Sequence, residues 1–184
     1  MLTLAGCSRE AKPSFKSLDI TGADYARRFS LPDADGRVRT LTDFKGKLVV
    51  VFFGYTQCPD VCPTTLTSLV ETKRLLGADS AKLVAVFISV DPERDTPQLL
   101  KSYVSAFDPS FVALRGTPDE TAAAAKEFKV FYRKAPGKTP ESYTVDHTAA
   151  SYVFDTEGRL RLYVRHNTPP ADLAADLKGL LGNA

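Results

Sequence analysis

At 184 residues, 43% of them hydrophobic and 25% charged, the chain has enough apolar material for one domain with a substantial core, and its composition is not that of a disordered protein. A formal net charge of +2, with the basic residues scattered and no basic stripe carrying interleaved aromatics, argues against a nucleic-acid binder. Three cysteines are too few for a scaffold built on disulfides.

The first cysteine, Cys7, follows Leu4-Ala5-Gly6 and precedes Ser8, the pattern of a bacterial lipobox in which a lipid is attached to the cysteine after cleavage. Residues 1–6 are too short for an h-region of about 7–15 apolar residues, so the natural signal is read as truncated or the start as assigned late. Nothing in the sequence offers the roughly 20 consecutive apolar residues of a membrane-spanning helix. Residues 1–27 are therefore read as a truncated lipoprotein signal and tether, and residues 28–184 as one folded domain.

Regular structure is expected from Phe29-Ser30-Leu31, with Asp33-Ala34-Asp35-Gly36 turning the chain into the alternating Arg37 to Leu41. The run Leu48 to Phe53 reads as a central strand buried on both faces. A helix after the second and third cysteines carries Leu66, Leu69, Val70 and Leu76 on one stripe. Leu83 to Val90 reads as a second buried strand. A loop over Asp91 to Pro97 then leads into a helix through Leu100, Val104 and Phe107. A short strand at Phe111 to Leu114 follows, and Thr117-Pro118-Asp119-Glu120 opens a helix running to Phe128 through a capping box. Lys134 to Ser142, with Pro136, Gly137 and Pro140, reads as a mobile loop. Ser151 to Phe154 and Leu160 to Val164 flank a turn and form a hairpin, and Thr168-Pro169 starts a last helix with Leu173, Leu177, Leu180 and Leu181 on one face. The order predicts an α/β thioredoxin-like fold. It has a central, mostly parallel sheet covered by helices on both faces, and β-hairpins at the N- and C-terminal ends.

The chemistry lies in Gly54-Tyr55-Thr56-Gln57-Cys58-Pro59-Asp60-Val61-Cys62-Pro63, directly after the first buried strand. The spacing is Cys-x-x-x-Cys, one residue longer than the dithiol of a disulfide oxidoreductase. Four helical positions place two Cα atoms about 6 Å apart, close enough to share a metal ion or to form a disulfide. Proline is tolerated only in the first helical turn, so Pro63 sets the helix start near Asp60 to Cys62 and leaves Cys58 in the turn ahead. Both sulfurs then lie at the positive end of the helix dipole, which favours thiolates. Of the two histidines, His147 precedes the strand expected to face the cysteine turn and is the third-ligand candidate; His166 is read as an ordinary surface or hydrogen-bonded histidine. Two thiolates and one imidazole make a soft set that suits Cu(I), or Cu(II) with an added oxygen, whereas structural zinc takes a fourth protein ligand. Asp60 and Asp146 are expected to tune or orient this set.

Three stretches together resemble the Sco/SenC family of copper-binding thioredoxin-like proteins: Phe53 to Pro63, Ser89 to Pro97, and Asp146-His147-Thr148 with Tyr152. The resemblance implies a copper chaperone for the binuclear copper A centre of cytochrome c oxidase, with Cys58, Cys62 and His147 as the copper ligands and Asp91 as a motif residue of unassigned role. Cys58 and Cys62 are also read as a redox disulfide whose formation blocks loading. The implied partners are therefore the copper A subunit of the oxidase, a periplasmic copper donor and a thiol reductase. A lipid on Cys7 would hold the protein on the periplasmic side of a bacterial envelope. A loop around Lys134 to Tyr143 is expected to let His147 move in and out. The rival reading is a thiol–disulfide oxidoreductase acting on the oxidase cysteines. Against it stand the spacing and the lack of a proline between Pro140 and Pro169, where a cis-proline would be needed. A peroxiredoxin is disfavoured because Tyr55, not threonine, stands three residues before Cys58.

Overall fold

Residues 48–54 and 83–89 are buried at every position, so neither strand has a polar face to turn to water and both must be covered on two sides. The computed structural model describes residues 14–139 and 142–182. In chain order the elements are β1 (Leu18–Asp19), β2 (Ser30–Pro32), β3 (Val38–Thr40), β4 (Leu48–Gly54), α1 (Val61–Leu76), β5 (Leu83–Ser89), α2 (Pro97–Ser105) and β6 (Val112–Leu114). They continue with α3 (Pro118–Glu127), β7 (Tyr132–Ala135), β8 (Thr144–His147), β9 (Ala150–Phe154), β10 (Leu160–Arg165) and α4 (Pro170–Gly182).

The central sheet has the strand order β1-β10-β9-β4-β5-β6. Its two faces carry separate cores, because successive side chains of a strand point to opposite sides. On one face Leu48, Val50 and Phe52 of β4 and Leu83, Ala85 and Phe87 of β5 meet Leu66 and Leu69 of α1, Leu100 and Val104 of α2, and Leu173 and Leu177 of α4. On the other, Val49, Val51 and Phe53 with Val84, Val86 and Ile88 meet Ala124 and Ala125 of α3, Phe128, and Leu31 of β2. Burying one such leucine is worth about 1.5–3 kcal/mol, so the packing of amphipathic helices on both faces dominates the stability of the domain. Among the described residues no helix is long and apolar enough to cross a membrane.

The fold is the expected α/β arrangement, with three differences. First, the sheet is mixed: β4–β5 and β5–β6 are parallel, but β4–β9, β9–β10 and β10–β1 are antiparallel. A helix returns the chain before β5 and before β6, which keeps those strands parallel. After α3 the chain instead runs through an extra hairpin and enters β9 from the opposite end of β4. Second, that extra hairpin is β7–β8, pairing Tyr132 with His147 and Ala135 with Thr144. The expected loop at Lys134 to Ser142 therefore contains strand residues Lys134 and Ala135, with Pro136 and Gly137 directly after the strand, while Pro140 lies outside the described residues. Third, Leu18 and Asp19, inside the segment read as a tether, pair with Tyr163 and Leu162 as an edge strand. Cys7 and the lipobox lie outside the described residues.

Asp155 closes the β9–β10 turn. Its carboxylate accepts from the backbone of Glu157 and Arg159 and from the guanidinium groups of Arg159 and Arg161, with Gly158 at φ 79° completing the turn. Burial alone would raise this acid, but the Arg159 N–H and the two guanidinium groups outweigh it and hold the carboxyl below its ordinary value. A depressed folded-state pKa contributes stability that is complete above the unfolded value near 3.9 and is lost as pH falls through the folded value. Asp155→Asn should therefore cost about 1.5–3 kcal/mol at pH 7 in chemical denaturation. The gap to the wild type should close as the titration moves below pH 4.

Candidate metal centre

β4 delivers the chain to the site at Gly54, where a side chain has no room: a Cβ there would lie 2.5 Å from Cys62 Sγ and 3.0 Å from the Phe87 ring. The turn that follows is closed by Cys58 N–H donating to Tyr55 O at 3.2 Å. It is tied to the end of β5 by Asp95, which is fully buried and accepts from Thr56 N–H, Thr56 Oγ1 and Ser89 Oγ. Burial, only partly offset by these bonds, pushes the Asp95 carboxyl up.

Helix α1 begins at Val61, so Cys62 and Pro63 occupy its second and third positions, as the proline requires. Asp60 stands at the N-cap position but makes no side-chain cap bond to the helix; it accepts from Thr64 Oγ1 instead. The sulfur of Cys58 takes that place. Cys62 N–H donates to it at 3.5 Å, and the Asp60 N–H also points at it. Amides left unpaired at a helix start thus face a sulfur, at the positive end of the dipole.

The Cys62 thiol beside Cys58, followed by the His147 ring and the two amides, outweighs burial and lowers Cys58 to about 3. Cys62, the donor in the pair and fully buried, is pushed above the ordinary thiol range. The pair therefore holds one readily lost proton and one strongly held. Both are free thiols, with Cys58 half-buried.

The third member comes from β8. His147 is its last residue, and Nδ1 lies 3.1 Å from Thr148 O. Donation from Nδ1–H to that carbonyl leaves Nε2 as the atom facing the sulfurs, 3.6 Å from Cys62 Sγ. The ligand atoms of Cys58, Cys62 and His147 all lie within 4.8 Å of one another. Tyr55 packs edge-on to the imidazole, ring centres 6.0 Å apart.

The other sequence candidates stand apart. Asp60 and Asp146 are exposed, and Asp146 pairs with Arg133 at 3.7 Å. His166 is outside the cluster, with Nδ1 3.5 Å from Thr65 Oγ1, on a cleft of about 630 Å³ that His147 also lines. Asp91 is buried and bonded to Arg94 and Tyr143. Sequence reasoning assigned no role to Tyr55, Gln57, Arg94 or Tyr143, although the first three stand inside the motif stretches; a buried carboxylate such as Asp91 needs a cationic partner, and Arg94 three positions on was the available one.

The proton arrangement has a direct readout. Cys58 should react with iodoacetamide at pH 6 while Cys62 stays protected. In Cys62→Ala the rate at pH 6 should fall, because the thiolate has lost its donor. An unchanged rate would contradict the hydrogen-bonded pair.

These features recur in known proteins. The profile of the SCO1/SenC family matches residues 19–182. A SCO2-like protein of Rickettsia felis is 34% identical over 152 residues, covering 82% of this chain and 74% of that one. A SCO2-like protein of Rickettsia prowazekii is 35% identical, and the match covers 75% of this chain but 66% of the relative's length. Among solved structures, Bradyrhizobium japonicum ScoI, described with copper bound, superposes with a TM-score of 0.74 at 45% identity, covering 83% of this chain and 97% of that one. A SCO1/SenC family lipoprotein of Bacillus anthracis gives 0.71 at 26% identity, covering 84% and 93%. BsSco, described as having a disulfide switch and as a member of the Sco family of cytochrome c oxidase assembly proteins, gives 0.66 at 26% identity, covering 90% and 98%. With the family profile spanning the sheet, all four helices and the clustered cysteines and histidine, the chain belongs to the SCO1/SenC family.

Proposed function

We propose that this protein binds one copper ion through Cys58 Sγ, Cys62 Sγ and His147 Nε2 and delivers it during assembly of the copper A centre of cytochrome c oxidase. The observation that carries the reading is the convergence of these three atoms within 4.8 Å from a helix start and a strand end 85 residues apart in sequence. Two sulfurs and one imidazole nitrogen are a soft, low-coordinate donor set, matched to Cu(I). Structural zinc takes four protein ligands, and among the described residues the cluster has three. Support also comes from the relative solved with copper and from the relative assigned to oxidase assembly. The cleft that His147 lines is the side from which this reading has a partner subunit or a copper donor approach.

Attachment to the envelope through a lipid on Cys7, facing the periplasm, is part of the same proposal. It is supported by the Leu-Ala-Gly-Cys pattern and by the Bacillus relative described as a lipoprotein.

A second reading, thiol–disulfide exchange, is favoured by one observation: Cys58 is a low-pKa thiol hydrogen-bonded to a second thiol. Joining the Cys58 thiolate to the Cys62 thiol gives up two electrons to an oxidant and the Cys62 proton to solvent, and removes both sulfurs from the metal set. A thiol reductase partner would then restore copper binding.

Anaerobic titration of the reduced protein with Cu(I), against a competing colorimetric chelator, separates the two. One equivalent should bind tightly. Cys58→Ala and Cys62→Ala should abolish tight binding, and His147→Ala should weaken it greatly. Turnover of a disulfide substrate without metal uptake would reverse the assignment.

A further inference from the structure

The hairpin that carries His147 is not hydrogen-bonded into the central sheet; β7 and β8 form a two-stranded sheet of their own. A lone hairpin has little intrinsic stability, so its place over the cysteine turn depends on what ties it down. At the His147 end, a two-residue link runs into β9, and Thr148 N–H donates to Phe131 O at 2.9 Å. At the other end stands Tyr143, just ahead of β8; there Lys134 pairs with Glu93 at 2.6 Å, Val145 is buried and its backbone bonds to Tyr55, and the tie that reaches the cysteine turn from the Tyr143 carbonyl and ring is one arginine.

Arg94 reaches both halves of the site. Its Nη1 donates to Gln57 Oε1 at 3.1 Å, next to Cys58, and to Tyr143 O at 2.8 Å. Its guanidinium carbon sits 3.6 Å from the centre of the Tyr143 ring and 5.7 Å from that of Tyr55, the ring that packs on His147. Its Nε is held at 2.5 Å by Asp91, whose side chain is fully buried and whose other oxygen accepts from Tyr143 Oη at 2.7 Å. The planar fork thus serves the carboxylate, the carbonyl and the ring at once, a geometry that a lysine ammonium does not reproduce.

We propose that Arg94 is a positioning residue: buttressed by Asp91, it fastens the Tyr143 end of the hairpin to the cysteine turn and so sets the approach of His147 Nε2 to the two sulfurs. Without it, the Tyr143 end keeps only the Asp91 bond, the Lys134–Glu93 pair and the buried Val145, and the imidazole is held less firmly against the sulfurs. The inference rests on the copper reading for its affinity arm and is independent of it for its dynamic arm.

The test is a double-mutant cycle in Cu(I) affinity on the reduced, full chain. Arg94→Ala should weaken binding about 10–100-fold, the usual loss when a group that orients a ligand is removed. Arg94→Lys should recover little of it, and Tyr143→Phe should show a smaller loss in the same sense. In a His147→Ala background, Arg94→Ala should change affinity less than twofold, because the ligand it orients is gone. Wild-type affinity in Arg94→Ala, or the full loss repeated in the His147→Ala background, would overturn the proposal. Should the wild type bind no Cu(I), the copper reading falls and the metal-free arm decides: amide hydrogen exchange in β8 should rise in Arg94→Ala and Tyr143→Phe while β4 and β5 keep their protection. Unchanged exchange in β8 would overturn the proposal.

Discussion

The site depends on one electrostatic fact: the start of α1 presents unpaired amides, and the group facing them is the sulfur of Cys58 rather than a capping oxygen. A thiol donor from Cys62, then the His147 ring, and last the amides of the helix start favour the thiolate form at a position that is only half-buried. That combination makes a nucleophilic, metal-competent sulfur, while the Arg94 guanidinium that reaches the adjoining Gln57 is engaged by Asp91. Net negative charge is then available to a cation. Gly54 allows this by leaving the space that Cys62 Sγ occupies against the end of β4.

The remainder of the fold holds two loops in register with that helix start. Asp95 fastens the turn before Cys58 to the end of β5 through three hydrogen bonds, and Asp91 with Arg94 fastens the same region to the hairpin. Both acids lie in the loop after β5, at the carboxyl end of the parallel half of the sheet, where open α/β sheets place their functional loops. Rigid, fully buried strands therefore support a site whose sulfurs are fixed and whose imidazole arrives on a separate, less anchored element. Under the proposed copper reading, a carrier that must both hold and surrender its cargo would benefit from that division, since a firmly held pair of ligands would retain the ion while the third is withdrawn.

Much of this was legible in the sequence. The two buried strands, the helices, the capping box at Thr117 and the terminal hairpins follow from apolar periodicity and from Pro and Gly placement, which are local signals; the last helix starts at Pro170, without Thr168 as its cap. Cys58 and Cys62 were found because their spacing alone limits the distance between them. His147 was found because it is one of two histidines and stands before a strand expected to lie beside the cysteine turn. Less visible were the β7–β8 hairpin, whose outward strands carry Tyr132, Arg133 and Lys134 with no strong alternation, and the two-residue strand β1, whose only support is its pairing with β10. In both, tertiary contact overrides a weak local preference.

The sequence by itself determined the chemistry: a pair of thiols at the start of a helix, one imidazole to join them, and apolar strands to bury beneath them. Spacing and side-chain type suffice for that, because they act within a turn or a strand. Only the tertiary structure decided the direction of β9 against β4, the orientation of Nε2 through Thr148 O, and the bridge that Arg94 makes between residues 57 and 143. Those depend on which groups meet across the fold, and long-range contacts between a guanidinium, a buried carboxylate and an aromatic ring leave no periodic trace in the chain.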